Sequence, residues 1–133
     1  MGVAQLRVLL DSHTLLWWIL DHSSLTTVAR ELISGTDNTV LISAASAWEL
    51  AIKFRAGRLP EAAELVTNFP TEIEREGFQL LPISAEHGIR AGLLPGLHKD
   101  PFDRMLIAQS QAENIPVISN EAVFDAYGVR RLW

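Results

Sequence analysis

The chain has 133 residues, of which 48% are hydrophobic, and it carries a formal net charge of −5 with no cysteine. This length and apolar content suffice for one domain with its own core. The lack of cysteine excludes a disulfide framework, a thiolate zinc site and a cysteine nucleophile. The negative charge excludes a protein that holds nucleic acid through a broad basic surface, so any such contact must be local.

The sequence predicts no membrane segment. The apolar run 15–20 is too short to cross a bilayer, and it lies between Asp11 and Asp21. The first residues lack the cationic start, apolar run and small-residue cleavage site of a secretory signal. We therefore expect a cytoplasmic protein.

Apolar periodicity and turn residues divide the first half of the chain into alternating strands and helices. The predicted elements are a strand over 7–10, helices over 12–20 and 26–34, a strand over 39–42 and a helix over 43–56. The last of these helices has a stripe that we predict to be buried, formed by Ala44, Trp48, Ala51, Ile52 and Arg55. We also expect core positions for Trp17, Trp18 and Trp48.

The second half continues the alternation. A helical segment over 60–76, interrupted near Pro70, precedes a strand over 78–81, a helix over 84–91 and a loop over 92–98. A capping residue followed by proline, Asp100 and Pro101, then predicts a helix that runs to about Asn114. The remaining predicted elements are a strand over 116–119, a short helix through Phe124 and an edge strand over 129–132.

This alternation predicts an α/β fold for a single domain over 1–133. The sheet should be mostly parallel, with right-handed crossovers and helices on both faces. Function in such folds lies at the carboxyl ends of the strands.

Four acidic residues are predicted to converge at that edge of the sheet. Asp11 ends the first strand, Glu49 lies early in the helix after the second strand, Asp103 is in the first turn of a returning helix, and Glu121 follows the last core strand. Carboxylates packed together repel one another unless cations neutralise them, and hard divalent ions prefer oxygen ligands. We therefore expect Mg²⁺ or Mn²⁺, with one or two ions activating water for phosphodiester hydrolysis.

Four segments together resemble a known family. LLDSHTLLWW, SAASAWELAIKFRAGRLP, HKDPFDRMLIAQ and VISNEAVFDAYGV are similar in order and spacing to PIN-domain proteins, and most similar to the VapC-like toxin ribonucleases of toxin-antitoxin pairs. The resemblance implies that Asp11, Glu49 and Asp103 form the acidic core of a metal site. Glu121 would be a fourth ligand in a position that is usually aspartate.

The resemblance also assigns roles to neighbouring side chains and to partners. Ser119 would orient a bound water, and Ser12 stands where threonine is more usual. The implied protein is an endoribonuclease that leaves a 5′ phosphate and a 3′ hydroxyl, forms a homodimer and is restrained by a cognate antitoxin.

Each acid also has an ordinary explanation. Glu49 could form a capping box with Ser46 or an ion pair with Lys53. Asp100 is expected to be a helix cap before it is a ligand, and Asp103 suits the first turn of a helix without any metal. Asp11 could simply cap its helix, and Glu121 could be a solvated turn residue.

Basic residues near these acids leave two interpretations open. His98, Lys99 and Arg104 could contact phosphate, although solvated loop and helix positions explain them as well. The same holds for Lys53, Arg55 and Arg58 as guides for RNA, since cations are favoured at a helix end.

Two other functions compete with RNA cleavage. In the first, Glu121 has weakened catalysis and the chain is a PIN-fold binding protein that acts through partner complexes. In the second, the chain is a phosphoacceptor receiver domain, which also places acids at the carboxyl ends of a parallel sheet. That class expects paired acids after the first strand, and the sequence has a single acid there, Asp11.

Overall fold

A computed structural model describes residues 5–96 and 98–133, so Leu97, in the predicted loop, lies outside the described residues. In this described part of the chain, five strands form one parallel sheet with the order β3-β2-β1-β4-β5. The strands are β1 (Arg7–Leu10), β2 (Thr39–Ser43), β3 (Gln79–Leu81), β4 (Val117–Ile118) and β5 (Arg131–Leu132). The expected α/β fold with a parallel sheet is thus confirmed.

Within residues 5–96 and 98–133, seven α-helices connect or flank these strands. They are α1 (Ser12–Ile19), α2 (Thr27–Ser34), α3 (Ala44–Arg55), α4 (Ala63–Thr67), α5 (Phe69–Arg75), α6 (Ala85–Leu93) and α7 (Pro101–Glu113), and short 3-10 helices span Pro60–Ala62 and Ala122–Tyr127. No helix in the described part of the chain combines the length and apolarity needed to cross a bilayer.

Strand β1 lies at the centre of the sheet and is buried on both faces. Val8 and Leu10 contribute to one apolar cluster, which also contains side chains of α1 to α5, whereas Leu9 contributes to a second cluster with α7 and Phe124. Successive strand side chains point to opposite faces, so an unbroken apolar run supplies both layers. The sheet is therefore covered by helices on both sides, as predicted.

The predicted break at Pro70 is shifted two residues toward the N-terminus. Helix α4 ends at Thr67, Asn68 separates the helices, and Pro70 lies in the first turn of α5. Proline is tolerated there because the first backbone N–H groups of a helix have no partner within the helix. Pro70 therefore helps to begin α5.

The predicted buried stripe of α3 is wrong. Trp48 is 58% exposed and Ile52 is 41% exposed, so Trp48 is not a core residue. The side that faces the protein carries Ala45, Ser46, Glu49 and Leu50. Helical spacing shows which residues share a face of the helix, but it does not show which face packs against the sheet. Because the buried face of α3 includes polar residues, apolar spacing alone did not identify it. Trp17 and Trp18 are half-buried against the core, in line with expectation.

Helix α7 begins and ends as its sequence predicts. The Asp100 side chain caps it, with Pro101 in its first turn, and Asn114 ends it in the left-handed conformation at φ 54°. Asn114→Ala is expected to lower the free energy of unfolding by about 1 kcal/mol, because a Cβ-bearing residue without a compensating polar group is strained there. Urea unfolding would measure this loss, and Asn114→Gly should avoid it; equal losses in both variants would contradict the explanation.

Candidate metal centre at the carboxyl ends of the strands

Polar side chains lie at one edge of the sheet, where three neighbouring strands end. Asp11 follows β1, Ser43 ends β2 and Ser119 follows β4, and all three are buried. Because the strands are parallel, these positions lie at the same edge. The predicted location of the site is therefore also where buried polar groups are found.

Asp11 is held by two hydrogen bonds at the start of α1. Its Oδ1 accepts from the Thr14 backbone N–H at 2.9 Å, and its Oδ2 accepts from the Ser119 hydroxyl at 2.5 Å. The ordinary interpretation of Asp11 as a helix cap is thus correct. A carboxylate oxygen has more than one lone pair, so this capping leaves Asp11 able to bind a cation as well.

Ser119 links Asp11 to Glu121. While its hydroxyl donates to Asp11, its Oγ accepts from the backbone N–H of Glu121 at 3.0 Å. Glu121 Oε1 lies 3.3 Å from Nδ1 of His13, and both side chains are partly exposed. Ser119 therefore connects the segments that carry the two acids, and its predicted role in orienting a water stays a prediction.

His13 completes a group that the sequence analysis did not identify. One ligand atom each from Asp11, His13 and Glu121 lies within 4.8 Å of the other two, the only such group of acidic or histidine side chains within the described residues. His13 is two residues after Asp11, in the first turn of α1, and this spacing was the signal that could have revealed it. Glu121, with its longer side chain, still reaches this group.

Glu49 lies outside that group and is buried beside it. Its Oε1 accepts from the Ser12 hydroxyl at 2.5 Å, and its Oε2 accepts from Lys53 at 2.8 Å. The predicted ion pair with Lys53 is therefore present. The alternative capping box is wrong, since Ser43 caps α3 and the Ser46 hydroxyl has no hydrogen-bond partner within the described residues.

Asp103 also lies outside the group and faces His98. Its Oδ2 is 2.9 Å from Nε2 of His98. Burial raises the pKa of Asp103 from 3.8 to about 6; the His98 hydrogen bond opposes this rise, and the negative charges of Asp100 and Glu121 add to it. Asp103 is thus close enough to Glu121 for their charges to interact, and an added cation would relieve that repulsion.

Asp100 and Arg104, which the sequence offered as a further ligand and as a phosphate contact, both make hydrogen bonds within the protein. Asp100 Oδ1 accepts from the backbone N–H groups of Phe102 and Asp103 at 2.9 and 3.0 Å, as expected for a helix cap. The Arg104 guanidinium donates to the backbone carbonyls of Ala91, Leu94 and His98 at 2.9, 2.7 and 3.1 Å. Arg104 therefore holds Ala91, Leu94 and His98 to the start of α7 through these hydrogen bonds, and its positive charge is retained.

The donor set fits a divalent cation. Asp11 and Glu121 offer carboxylate oxygens and His13 offers an imidazole nitrogen, while the charge of Asp103 interacts with that of Glu121. Oxygen ligands suit Mg²⁺ and Mn²⁺, and a single nitrogen ligand is accepted more readily by the transition metal Mn²⁺ than by Mg²⁺. A spacing of 3.3 Å between His13 and Glu121 is close to the roughly 3 Å expected for neighbouring ligands that each lie about 2.1 Å from one ion.

Known proteins with sequence similarity include a ribonuclease. A 58-residue segment is 38% identical to Ribonuclease VapC16 of Mycobacterium tuberculosis. The aligned segment covers 44% of this chain and 40% of VapC16, so the chain matches less than half of that relative's length.

Solved structures of VapC proteins share the fold. VapBC2 of Rickettsia felis, bound to a promoter DNA fragment, superposes with a TM-score of 0.68 at 17% identity and covers 96% of this chain and 98% of its own. VapC20 of M. tuberculosis, a toxin that cleaves the sarcin-ricin loop, gives 0.67 at 13% identity, with 92% and 95% covered. The DNA-bound VapBC of Salmonella typhimurium gives 0.68 at 18% identity, with 96% and 97% covered.

These relatives confirm the expected likeness to VapC proteins. At such low identities the structural likeness shows the fold alone. A model of the PIN domain, however, matches residues 8–129, a span that includes Asp11, Glu49, Asp103 and Glu121. The chain therefore belongs to the PIN domain family.

Proposed function

We propose that this chain is a metal-dependent endoribonuclease, formed by a single PIN-like domain over 1–133 and acting as the toxin of a toxin-antitoxin pair. The observation that carries the proposal is the group of Asp11, His13 and Glu121, which we call the Asp11 group. Its ligand atoms lie within 4.8 Å of one another at the carboxyl ends of the strands in a PIN-domain chain. The sequence similarity to a ribonuclease of the VapC group supports the same reaction class.

Asp11, His13 and Glu121 would hold the metal ion, and Asp103 would contribute negative charge beside it. Glu49, whose charge is paired with Lys53, would fix Ser12 between Asp11 and His13. A bound Mg²⁺ or Mn²⁺ supplies positive charge for the phosphate and lowers the pKa of a water that attacks phosphorus. Ser119 keeps the Asp11 carboxylate in place through its 2.5 Å hydrogen bond. Ser12 and Lys53 hold Glu49 in the same way from α1 and from the next turn of α3.

The proposed products are a 5′ phosphate and a 3′ hydroxyl. Water attacks phosphorus, the bond to the 3′ oxygen breaks, and that oxygen leaves and takes up a proton. The acidic side chains are ligands and electrostatic organisers in this scheme, and none of them is a covalent nucleophile. The chain's net charge of −5 is compatible with RNA binding because the metal ion neutralises the phosphate locally.

Protein partners are part of the proposal. The structures of VapBC2 and of the S. typhimurium VapBC support a cognate antitoxin that restrains this chain, and family resemblance supports a homodimer. We place the reaction in the cytoplasm, where RNA and such a partner are available. The competing function is that of a catalytically weakened binding protein. It has less support because Glu121 reaches the Asp11 group although its side chain is longer than that of the usual aspartate.

The function is tested by incubating the purified protein, freed of any partner, with a mixed RNA pool. Cleavage is expected in Mg²⁺ or Mn²⁺ and should stop in chelator, and end mapping should find 5′ phosphates. Cleavage that persists in chelator would exclude the metal mechanism. RNA that stays intact in every condition would instead favour the binding protein, and a wider panel of structured RNAs would then decide between the two.

Replacing His13 with glutamine tests the nitrogen ligand. Loss of a group that only orients a metal ligand typically weakens metal affinity by about 10- to 100-fold, so loss of the His13 ligand should weaken Mn²⁺ affinity by at least about 10-fold. We expect a smaller change in Mg²⁺ affinity. Calorimetry would measure both affinities. Electron spin-echo spectroscopy of bound Mn²⁺ should show coupling to a nitrogen nucleus in the unmodified protein and none in the variant.

His22→Gln is the matched control for this substitution. His22 packs on the ring of Trp17, as His13 does, with ring centroids 5.6 and 5.9 Å away respectively, but it is not part of the Asp11 group. The His22 variant should keep the nitrogen coupling. If Mn²⁺ bound to the unmodified protein shows no nitrogen coupling, His13 is only an ion-pair partner of Glu121.

A further inference from the structure

A pocket of about 360 Å³ lies among α3, α6 and the start of α7, and we call it the Trp48 pocket. Its apolar walls include Ala45, Trp48, Ile83, Phe102 and Met105. None of these residues belongs to the Asp11 group. The pocket is therefore a separate feature of the surface, next to the candidate metal centre.

The pocket has an aromatic wall with a large exposed surface. Trp48 is 58% exposed, and its ring meets that of Phe102 edge to face, with 4.9 Å between centroids at 77°. This contact fixes the tryptophan ring and leaves much of its surface available. A rigid, exposed aromatic ring is the usual platform on which proteins stack unpaired bases.

The charges of the pocket are those that a phosphate backbone needs. Lys99 and Arg104 are the charged residues among those that line it, and both are positive, on a chain with net charge −5. The hydrogen bonds of Arg104 are used by backbone carbonyls, but its charge remains and favours nearby phosphate. Apolar walls suit the face of a base, and the local positive charge suits its phosphate, so the lining of this pocket fits a nucleotide.

The pocket adjoins the acids through the chain itself. Trp48 directly precedes Glu49 on α3, and Phe102 directly precedes Asp103 on α7. Neighbouring side chains of a helix point in different directions, but consecutive Cα atoms are only about 3.8 Å apart, so a strand with a base in this pocket needs to extend only a short way to reach the acids. The same two helix starts therefore present a stacking surface and the acids that flank the candidate metal centre.

We propose that the Trp48 pocket binds one unpaired base of an RNA strand next to the bond that is cut. This inference rests on the proposed ribonuclease function and adds that the substrate is single-stranded at this position. A paired base cannot enter such a pocket, because its edges and faces are covered in the duplex. Trp48 is thus a substrate-positioning residue that contacts the base, with no part in bond breaking.

The test measures RNA binding without cleavage. The Asp11→Asn protein is mixed in chelator with a fluorescein-labelled, unstructured RNA pool, and anisotropy gives the dissociation constant. Adding Trp48→Leu, which keeps an apolar side chain, should weaken binding about 10-fold, the equivalent of roughly 1.4 kcal/mol for one lost base stack. Trp48→Phe should retain most of the affinity, and a duplex RNA should bind weakly and equally to all variants.

Ile52→Ala is the matched control. Ile52 is 41% exposed on the next turn of α3 and does not line the pocket, so its loss should leave RNA affinity unchanged. Unchanged affinity after Trp48→Leu overturns the inference. If that variant instead alters the molar mass in solution, or loses binding to a cognate antitoxin, the pocket belongs to a second copy or to that peptide.

Failure of the inference can be told apart from failure of the proposed function. Metal-dependent cleavage that is insensitive to Trp48→Leu refutes the base pocket and leaves the ribonuclease standing. Trp48-dependent RNA binding by a protein that cleaves nothing refutes the nuclease and supports the pocket as an RNA-binding site.

Discussion

Asp11→Asn is expected to abolish metal-dependent RNA cleavage while the protein remains folded. Asparagine caps a helix about as well as aspartate does, so the hydrogen bond to the Thr14 backbone N–H can be kept. The lost charge removes a ligand from the Asp11 group, and loss of one group that stabilises charge commonly lowers a rate by about 100-fold or more. The RNA-pool assay in Mn²⁺ would measure the rate, and thermal unfolding would confirm the fold.

Asp21→Asn is the matched control for Asp11. The Asp21→Asn substitution makes the same change in net charge at an exposed position. The φ of Asp21 is 52°, a value that asparagine adopts readily. Its variant should cleave RNA at the unmodified rate. Full activity of the Asp11 variant would show that the ribonuclease, if present, does not depend on this carboxylate, and the proposed site would have to be abandoned.

Asp103→Asn is expected to stabilise the metal-free protein at neutral pH by about 2 kcal/mol. Burial raises the pKa of Asp103 from 3.8 to about 6, so ionising this carboxyl is harder in the folded state than in the unfolded state. A difference of this size corresponds to about 3 kcal/mol when the group is fully ionised. Some of that gain is offset because asparagine loses the favourable charge of aspartate in the first turn of α7.

The pH dependence follows from the direction of this shift. Above pH 6 the folded protein bears the full cost of an ionised Asp103. As pH falls from about 6 toward 3.8 the folded state takes up a proton and the cost disappears, because below 3.8 both states are protonated. Urea unfolding in chelator should therefore show a large difference between variant and unmodified protein at pH 7, and little difference near pH 4.

Asp37→Asn provides the comparison, because Asp37 is exposed and its substitution should leave stability unchanged at both pH values. A stabilised but inactive Asp103→Asn protein would indicate that the charge of Asp103 lowers the stability of the unmodified protein and is needed for its activity. Destabilisation at pH 7 would show instead that the His98 contact outweighs the cost of burial, contrary to this prediction.

Local patterns in the sequence were sufficient to predict most elements of the fold. Runs of three apolar residues, Val8 to Leu10 and Val40 to Ile42, predicted β1 and β2, and the alternation with helices predicted the parallel sheet. The start of α7 was predictable because Asp100 caps backbone N–H groups of the first turn and Pro101 suits the first helical position. Both effects depend only on residues within one helical turn. The positions of Asp11 and Glu121 at one edge followed from strand direction alone.

The sequence by itself determined the α/β class, the order of the elements and the edge at which the acids lie, because these depend on local spacing and on strand ends. Only the tertiary structure decided that His13 joins Asp11 and Glu121, that Ser12 holds Glu49, and that Trp48 faces outward. The Ser12 contact joins residues 37 positions apart. Such contacts depend on how α3 is rotated against the sheet, which many weak packing interactions determine together.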